Sequence, residues 1–206
     1  LVDTLEALSN DLTETLATEL DRNRNAWREG RRTEARQWVQ GLAEFPERLK
    51  ATDLRVASQV LRWAAGTILD EEGDVDVVRR LIEEARSLDP ESDDLRLRAV
   101  LAARTESAQA ALDLLGDPQL APAQVAKVSI LLHLGRHDEA RSILAACSPE
   151  SDYEKADVHR FRAQISVVDG DLEGASHEVQ EAKSFRANDA SVRLIEAQLM
   201  YLQGLP

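Results

Sequence analysis

The sequence is poor in cysteine and in aromatic residues. Its one cysteine, Cys147, rules out a disulfide framework within the chain. This is compatible with a reducing, cytoplasmic location, while the start at Leu1 without methionine leaves a periplasmic location open. Aromatic residues make up only 4% of the chain. Alanine and leucine must therefore do most of the packing, which favours closely packed helices over a β-sandwich or barrel.

The motifs that carry catalysis or hold metals are also missing. There is no glycine-rich phosphate loop, no Gly-x-Ser-x-Gly elbow and no Cys-x-x-Cys pair. The acidic turn at residues 70–76 lacks the ligand spacing of a calcium loop. His133 and His137 have the spacing of zinc ligands on a helix, but Gly135 between them breaks the helical face. We therefore expect no catalytic residue, no metal site and no cofactor.

The sequence also lacks an excess of basic residues and long apolar runs. The formal charge is −13, which argues against a general binder of nucleic acid or anionic membranes. The longest apolar stretches fall well short of the roughly 18 residues of a membrane-spanning helix. Arginines concentrate in residues 21–62 and acidic residues in residues 70–94. Two interpretations stay open: solvated outer helix faces, or an arginine-rich patch that binds an acidic partner segment.

A glycine-containing hexapeptide occurs twice, at Gly135–Ala140 and Gly170–Ala175. Each copy lies between two segments with helical apolar periodicity, which predicts helix, tight turn, helix. The glycine can close a helix in the left-handed conformation, and the alanine five residues later lets two helices approach closely. Looser copies of the same spacing predict further turns near Gly30, Gly73, Ser107 and Gly204.

A second internal repeat, of a tetrapeptide, marks where units begin. Residues 90–93 and 149–152 share one tetrapeptide, Pro-Glu-Ser-Asp. Asp89 and Ser148 stand just before the two prolines. The pattern predicts that these two residues are N-caps and that the prolines occupy the first helical position.

These residues resemble the tetratricopeptide repeat family, whose unit is about 34 residues long. The resemblance rests on the turn glycine, the apolar or aromatic residue two after it, the alanine five after it and the proline near the unit's end. It covers roughly residues 15–206. The family's first-helix pattern of Trp, Leu-Gly and Tyr is nowhere complete in this sequence. Trp63 is one place away from the position of the tryptophan, and Ala163 and Ala197 stand where the pattern has glycine. The resemblance implies an all-α solenoid of stacked antiparallel helix-turn-helix repeats, a right-handed superhelix of about eleven helices. Residues 1–20 would form an N-terminal helix continuous with the first repeat, and residues 21–206 the array.

The resemblance also implies that the binding surface is the concave face, which is built from the first helix of each unit. The family's groove positions correspond in this sequence to Asp70 and to a set of candidate peptide-binding residues. These candidates are Arg24, Trp27, Arg28, Trp63, Thr67, Ser129, His133, Arg160, Gln164, Gln198 and Tyr201. The lysine and asparagine clamp that holds acidic C-terminal tails in some members is absent. Trp27 and Trp63 are the best anchor candidates because tryptophan often anchors interfaces, with a core role as the alternative.

The N-terminal segment carries a stripe of leucines, namely Leu1, Leu5, Leu8, Leu12 and Leu16. This spacing allows either an N-terminal cap on the first repeat or a short coiled-coil seam that makes a homodimer. The function expected from the whole pattern is a non-enzymatic scaffold that binds a protein or peptide segment, without nucleic acid or membrane. The alternative is a regulatory or sensor arm of a larger multidomain enzyme, because both ends of the sequence look cropped.

Overall fold

The chain is all-α, as expected. A computed structural model describes residues 2–44, 49, 52–71, 73–91 and 94–204, and these residues form eleven helices and no β-strand. The helices are α1 (Val2–Arg28), α2 (Arg32–Glu44), α3 (Leu54–Asp70), α4 (Val75–Leu88), α5 (Leu95–Thr105), α6 (Ala108–Leu115), α7 (Ala121–His133), α8 (His137–Ala146), α9 (Asp152–Asp169), α10 (Leu172–Phe185) and α11 (Ala190–Leu202). We refer to the odd-numbered helices as first helices and to the even-numbered ones as second helices.

Short polar side chains cap many of the helix N-termini. The Ser151 hydroxyl accepts the backbone N–H of Glu154 at 3.3 Å, and the Glu154 carboxylate accepts the N–H of Ser151 at 3.2 Å. This capping box starts α9 three residues later than the predicted cap at Ser148, because it satisfies two N–H groups at once. Asp89 is likewise not an N-cap; it is the residue that ends α4. Four further helices are capped by aspartates: Asp53, Asp74, Asp171 and Asp189.

Three of the predicted glycine turns have the same geometry. Gly30, Gly135 and Gly170 are left-handed, with φ of 85°, 72° and 78°. Each glycine N–H bonds to the carbonyl three residues earlier at 3.1 Å. The N–H of the next residue bonds to the carbonyl five residues earlier, at 2.8 to 2.9 Å. This pair of bonds is the Schellman motif, which a residue with a Cβ closes only with strain.

The turn at Gly73 differs from these three. Gly73 does not have a positive φ. Its N–H instead donates to the carbonyl of Ile68, five residues earlier, at 2.8 Å, as the N–H of Arg136 does to Leu131. It therefore corresponds to Arg136 and not to Gly135. A Cβ at Gly73 would lie 2.6 Å from the Ile68 Cγ2, so close packing explains the glycine here. Ser107 makes the same five-residue bond, to Ala102 at 3.1 Å, without any glycine.

The chain forms two compact units, Leu1–Leu101 and Ala102–Pro206. In the first unit, which we call the N-terminal unit, α1 packs on α2 and α3, and α3 packs on α4. One core cluster joins the first three helices and a second joins α3, α4 and the start of α5. The buried members of these clusters are Leu16, Leu20, Leu42, Val60, Ala65, Leu69, Val78 and Ile82.

In the second, C-terminal unit, α7 packs on α8 and α9 packs on α10. Two helices joined by so short a turn and packed on each other run antiparallel. The first helices also contact one another in sequence, α7 with α9 and α9 with α11. The core that joins α9, α10 and α11 consists of Ala163, Ala175, Val179, Ala182, Val192, Ile195 and Leu199.

The leucine stripe of α1 divides between core and surface. Leu16 is 1% exposed and belongs to the core that α1 shares with α2 and α3, whereas Leu12 is 36% exposed. The side chains of Leu1, Leu5 and Leu8 lie outside the described residues. The homodimer seam therefore remains a prediction. Among the helices described, none combines the length and hydrophobicity needed to cross a membrane.

Candidate functional site

The turn glycines give a common reference for comparing the first helices. Six residues before each left-handed turn glycine stand Arg24 on α1, Ser129 on α7, Gln164 on α9 and Gln198 on α11. All four were candidate binding residues. Ser129, Gln164 and Gln198 are exposed, and Arg24 is half-buried. On α7, α9 and α11 the equivalent position is exposed, so these three first helices present the same face to solvent.

In the C-terminal unit the exposed positions recur on three first helices that contact one another in sequence. On α7, α9 and α11 each exposed polar residue is followed four residues later, one turn along the same face, by another exposed residue. The six residues are Ser129 and His133, Gln164 and Val168, and Gln198 and Leu202. We call this surface the neutral strip, because it carries no acidic or arginine side chain. In the described part of the chain the side chains of Ser129, Gln164 and Gln198 make no hydrogen bond.

The candidate arginines are held within the protein. Arg160 donates from Nε and Nη2 to the Asp157 carboxylate at 3.2 Å, and its guanidinium lies 3.8 Å from the centre of the Phe161 ring. Only 18% of the Arg160 side chain is exposed. Arg24 donates to Asp21 at 3.4 Å. Arg28 is half-buried. An acidic partner would have to compete with these internal carboxylates.

Trp27 and Asp70 form a polar cluster in the N-terminal unit. The Trp27 side chain favours the charged form of Asp70, and the Arg32 guanidinium lies 5.1 Å from the centre of the Trp27 ring. Surrounding protein desolvates Asp70 and raises its pKa, and this effect outweighs the opposing influence of Arg96, Trp27 and Arg32. Trp27 is thus half-buried, and its ring is in contact with Arg32.

Trp63 and Thr67 face the interior instead of a groove. Thr67 is 4% exposed and donates its hydroxyl to the Trp63 carbonyl at 3.0 Å. The Trp63 ring packs on the core of α1, α2 and α3 and lies 5.5 Å from the Trp38 ring. Both residues are therefore engaged within the N-terminal unit.

Sequence reasoning missed several exposed apolar residues, two of which, Val168 and Leu202, belong to the neutral strip. Val168 is 55% exposed, Leu202 47% and Leu194 70%, and the predicted residue Tyr201 is 83% exposed. Val168 and Leu202 occupy the same position on their helices as His133 does on α7. Carrying that position to every unit would have found them.

Two further features bear on reactivity and on the binding of small ligands. Cys147 ends α8 half-buried, and burial is the main cause that raises the pKa of its thiol, so the thiol is less readily ionised.

A cavity of about 240 Å³ lies in the C-terminal unit, lined by Asp117, Pro118, Gln124, Lys127, Ser142, Ile143 and Ala146. Three of its polar side chains are already bonded to backbone carbonyls, namely those of Gln124, Lys127 and Ser142. Within the described residues no group of three His, Cys, Asp or Glu side chains could hold a metal ion.

Comparison of the chain with protein-family models, with curated proteins and with solved structures gave no match.

Proposed function

We propose that the chain is a non-enzymatic scaffold that binds an extended segment of another protein along the neutral strip. The observation that supports this most directly is the repetition of an exposed hydroxyl or amide, without an internal hydrogen bond, on three successive first helices. Amide side chains both donate and accept hydrogen bonds. They can therefore pair with the N–H and C=O groups of a peptide backbone, whatever its sequence.

The proposal includes a tetratricopeptide-like stacking of hairpins within each unit. Its support is the shared geometry of the turns at Gly30, Gly135 and Gly170 and the contacts of each first helix with the next. In such a stack each hairpin contacts mainly its neighbours, and equivalent positions line up along one face. A ladder of equivalent side chains is then the natural binding surface.

The spacing of the ladder suits an extended chain. Packed helices lie about 8–10 Å apart, and an extended peptide rises about 3.3 Å per residue. Polar side chains on neighbouring first helices would thus contact about every third residue of the bound peptide. A peptide segment of about seven residues would cross α7, α9 and α11. Val168 and Leu202 would cover apolar side chains between these points.

The charges favour a neutral or apolar partner segment over an acidic one. Arg24 and Arg160 are paired with Asp21 and Asp157, so neither is poised to receive a carboxylate. The strip itself has no charged side chain apart from the titratable His133. Specificity would come from apolar side chains that fit beside Val168 and Leu202.

Peptides selected on the protein from a phage-displayed random heptapeptide library test this. We expect peptides with few charges whose affinity falls about three- to tenfold in the Gln164→Ala variant, because one hydrogen bond contributes about 1 kcal/mol. Fluorescence anisotropy of the labelled peptides measures the change. Gln180→Ala is the matched control, because Gln180 is an exposed glutamine on the second helix α10, and it should leave affinity unchanged.

Three outcomes would contradict the proposal. The selection could yield no binder, or it could yield peptides that bind the Gln164→Ala and Gln198→Ala variants as well as the parent. It could also yield acid-rich peptides that depend on Arg24 and Arg160. The last result would restore the arginine-rich patch as the binding surface.

A further inference from the structure

The neutral strip consists of two rows of equivalent positions on α7, α9 and α11. The residues six before the turn glycines form the first row, which we call the polar row: Ser129, Gln164 and Gln198. The residues two before the same glycines form the second row, which we call the turn-side row: His133, Val168 and Leu202. A segment bound along the strip therefore meets the same pair of positions once on each helix.

The exposure of the strip is a property of the packed helices. Ser129 and Gln164 are exposed although the next first helix packs on each of their helices, α9 on α7 and α11 on α9. Val168 is also 55% exposed in this packed arrangement. The strip is thus open where one hairpin follows another.

The distance between neighbouring first helices sets the repeat of the two rows. Cα atoms of α7 and α9, and likewise of α9 and α11, come within 8 Å of one another. Helices in such contact have axes about 8–10 Å apart. Successive members of each row therefore repeat about every 8–10 Å along the strip.

One backbone conformation of a bound peptide repeats at this distance. A polyproline II helix has three residues per turn and rises about 3.1 Å per residue, so every third residue returns to the same side after about 9.3 Å. In a β-strand the successive residues alternate between opposite sides, so residues three apart point in opposite directions. An α-helix rises only about 1.5 Å per residue and uses its carbonyls in its own hydrogen bonds. Equivalent contacts on three successive first helices therefore match polyproline II.

The side chains of both rows suit such a segment. Polyproline II has no internal hydrogen bonds, so its carbonyls need donors from outside. A serine hydroxyl and a glutamine amide both donate, and the polar row consists of these two groups. In the turn-side row, Val168 and Leu202 offer apolar surface for every third side chain. The strip has no carboxylate or arginine that would require a charged partner.

We propose that the segment bound by the neutral strip is a polyproline II helix of about seven residues, with an apolar residue at every third position and proline between them. Its carbonyls accept hydrogen bonds from the polar row, and its apolar side chains lie against the turn-side row. Proline suits the intervening positions because it fixes φ near the polyproline II value and needs no hydrogen-bond acceptor. This inference rests on the proposed function, since it names the kind of partner that the strip binds.

Three end-blocked, fluorescent heptapeptides test the proposal on the full chain by anisotropy. The first, Leu-Pro-Pro-Leu-Pro-Pro-Leu, places its leucines on one side of a polyproline II helix. The second, Leu-Pro-Leu-Pro-Leu-Pro-Pro, has the same composition in another register. The third, Leu-Ser-Ser-Leu-Ser-Ser-Leu, keeps the register without proline. We expect the first to bind at least about threefold more tightly than either of the others, because proline removes freedom that the serine peptide loses on binding.

Variants of the protein locate the bound peptide. Gln164→Ala should weaken binding of the first peptide about three- to tenfold through loss of one hydrogen bond. Val168→Ser should weaken it about threefold through loss of apolar contact. The control Gln180→Ala, at an exposed glutamine on the second helix α10, should leave binding unchanged.

Several results would overturn the proposal. Equal binding of the first two peptides would show that register is irrelevant, and tighter binding of the serine peptide would show that the bound segment is not polyproline II. Binding of the first peptide that survives both Gln164→Ala and Val168→Ser would place it elsewhere. If none of the three binds up to about 1 mM while phage-selected peptides still bind through Gln164, this inference fails and the scaffold proposal stands. If no peptide of either kind binds through Gln164, both fail.

Discussion

Asp70 shows how one residue can be exposed and still be strongly influenced by the protein around it. The residue is exposed, yet neighbouring groups desolvate its carboxylate enough to raise its pKa, despite the opposing influence of Arg96, Trp27 and Arg32. A carboxyl group whose pKa is raised by folding binds its proton more tightly in the folded state. Its contribution to stability therefore grows as the pH falls through the raised pKa and is lost as the pH rises.

Replacing Trp27 should move this pKa in a defined direction. The indole N–H favours the charged form of Asp70, so we expect Trp27→Phe to raise the pKa of Asp70 further. Carboxyl NMR titration measures it. Trp38→Phe is the matched control, because the Trp38 indole donates to Glu19 at 2.9 Å and does not contact Asp70. A pKa that stays constant or falls in the Trp27→Phe variant would contradict this influence of the Trp27 side chain on Asp70.

At the scale of single helices and turns, the left-handed glycines set where each hairpin closes. Gly170 has φ of 78°, and a Cβ added there would meet no other atom within 4 Å, so backbone conformation alone requires glycine. Gly41, inside α2, also has open space around it but no positive φ. The two glycines therefore respond to the same substitution in opposite ways.

We expect Gly170→Ala to lower the free energy of unfolding by about 1–2 kcal/mol, because alanine is strained in the left-handed region. Gly41→Ala should instead raise it by about 0.5–1 kcal/mol, since alanine is the better helix former. Urea unfolding followed by circular dichroism measures both changes. If Gly170→Ala is neutral, the turn does not depend on the left-handed conformation.

The turns also show how far the sequence could predict the structure. Gly135 and Gly170 were predicted correctly as helix ends, because apolar periodicity stopped at a glycine on both occasions. The sequence could not show that Gly73 lacks the left-handed φ, because a glycine required for close packing on Ile68 looks the same in a sequence as one required for a left-handed φ. The pairing of Arg160 with Asp157 was equally hidden, since rotamers decide it.

At the scale of the whole molecule, each of the three core clusters described above lies within one unit. Ala163 belongs to the core of the C-terminal unit, whereas all three tryptophans, Trp27, Trp38 and Trp63, lie in the N-terminal unit. Tryptophan fluorescence therefore reports the first unit alone. Circular dichroism reports the helices of both.

This separation allows a matched pair of variants. Ala163→Leu should destabilise the C-terminal unit by about 1–3 kcal/mol through overpacking. Ala197→Leu, at the equivalent but exposed position, should change stability by less than about 0.5 kcal/mol. In urea, we expect Ala163→Leu to shift the circular dichroism transition more than the fluorescence transition. Equal shifts of the two signals would show that both cores unfold in a single step.

The hydrogen bonds that close the turns at Gly30, Gly135 and Gly170 join backbone atoms alone. Such a turn keeps its path whatever side chains surround it, provided that its glycine is retained. Genes for a chain of this kind can accumulate substitutions, or gain and lose whole hairpins by duplication and deletion, with little disturbance to the remaining units. The length of the proposed binding surface is therefore a quantity that evolution could adjust one hairpin at a time.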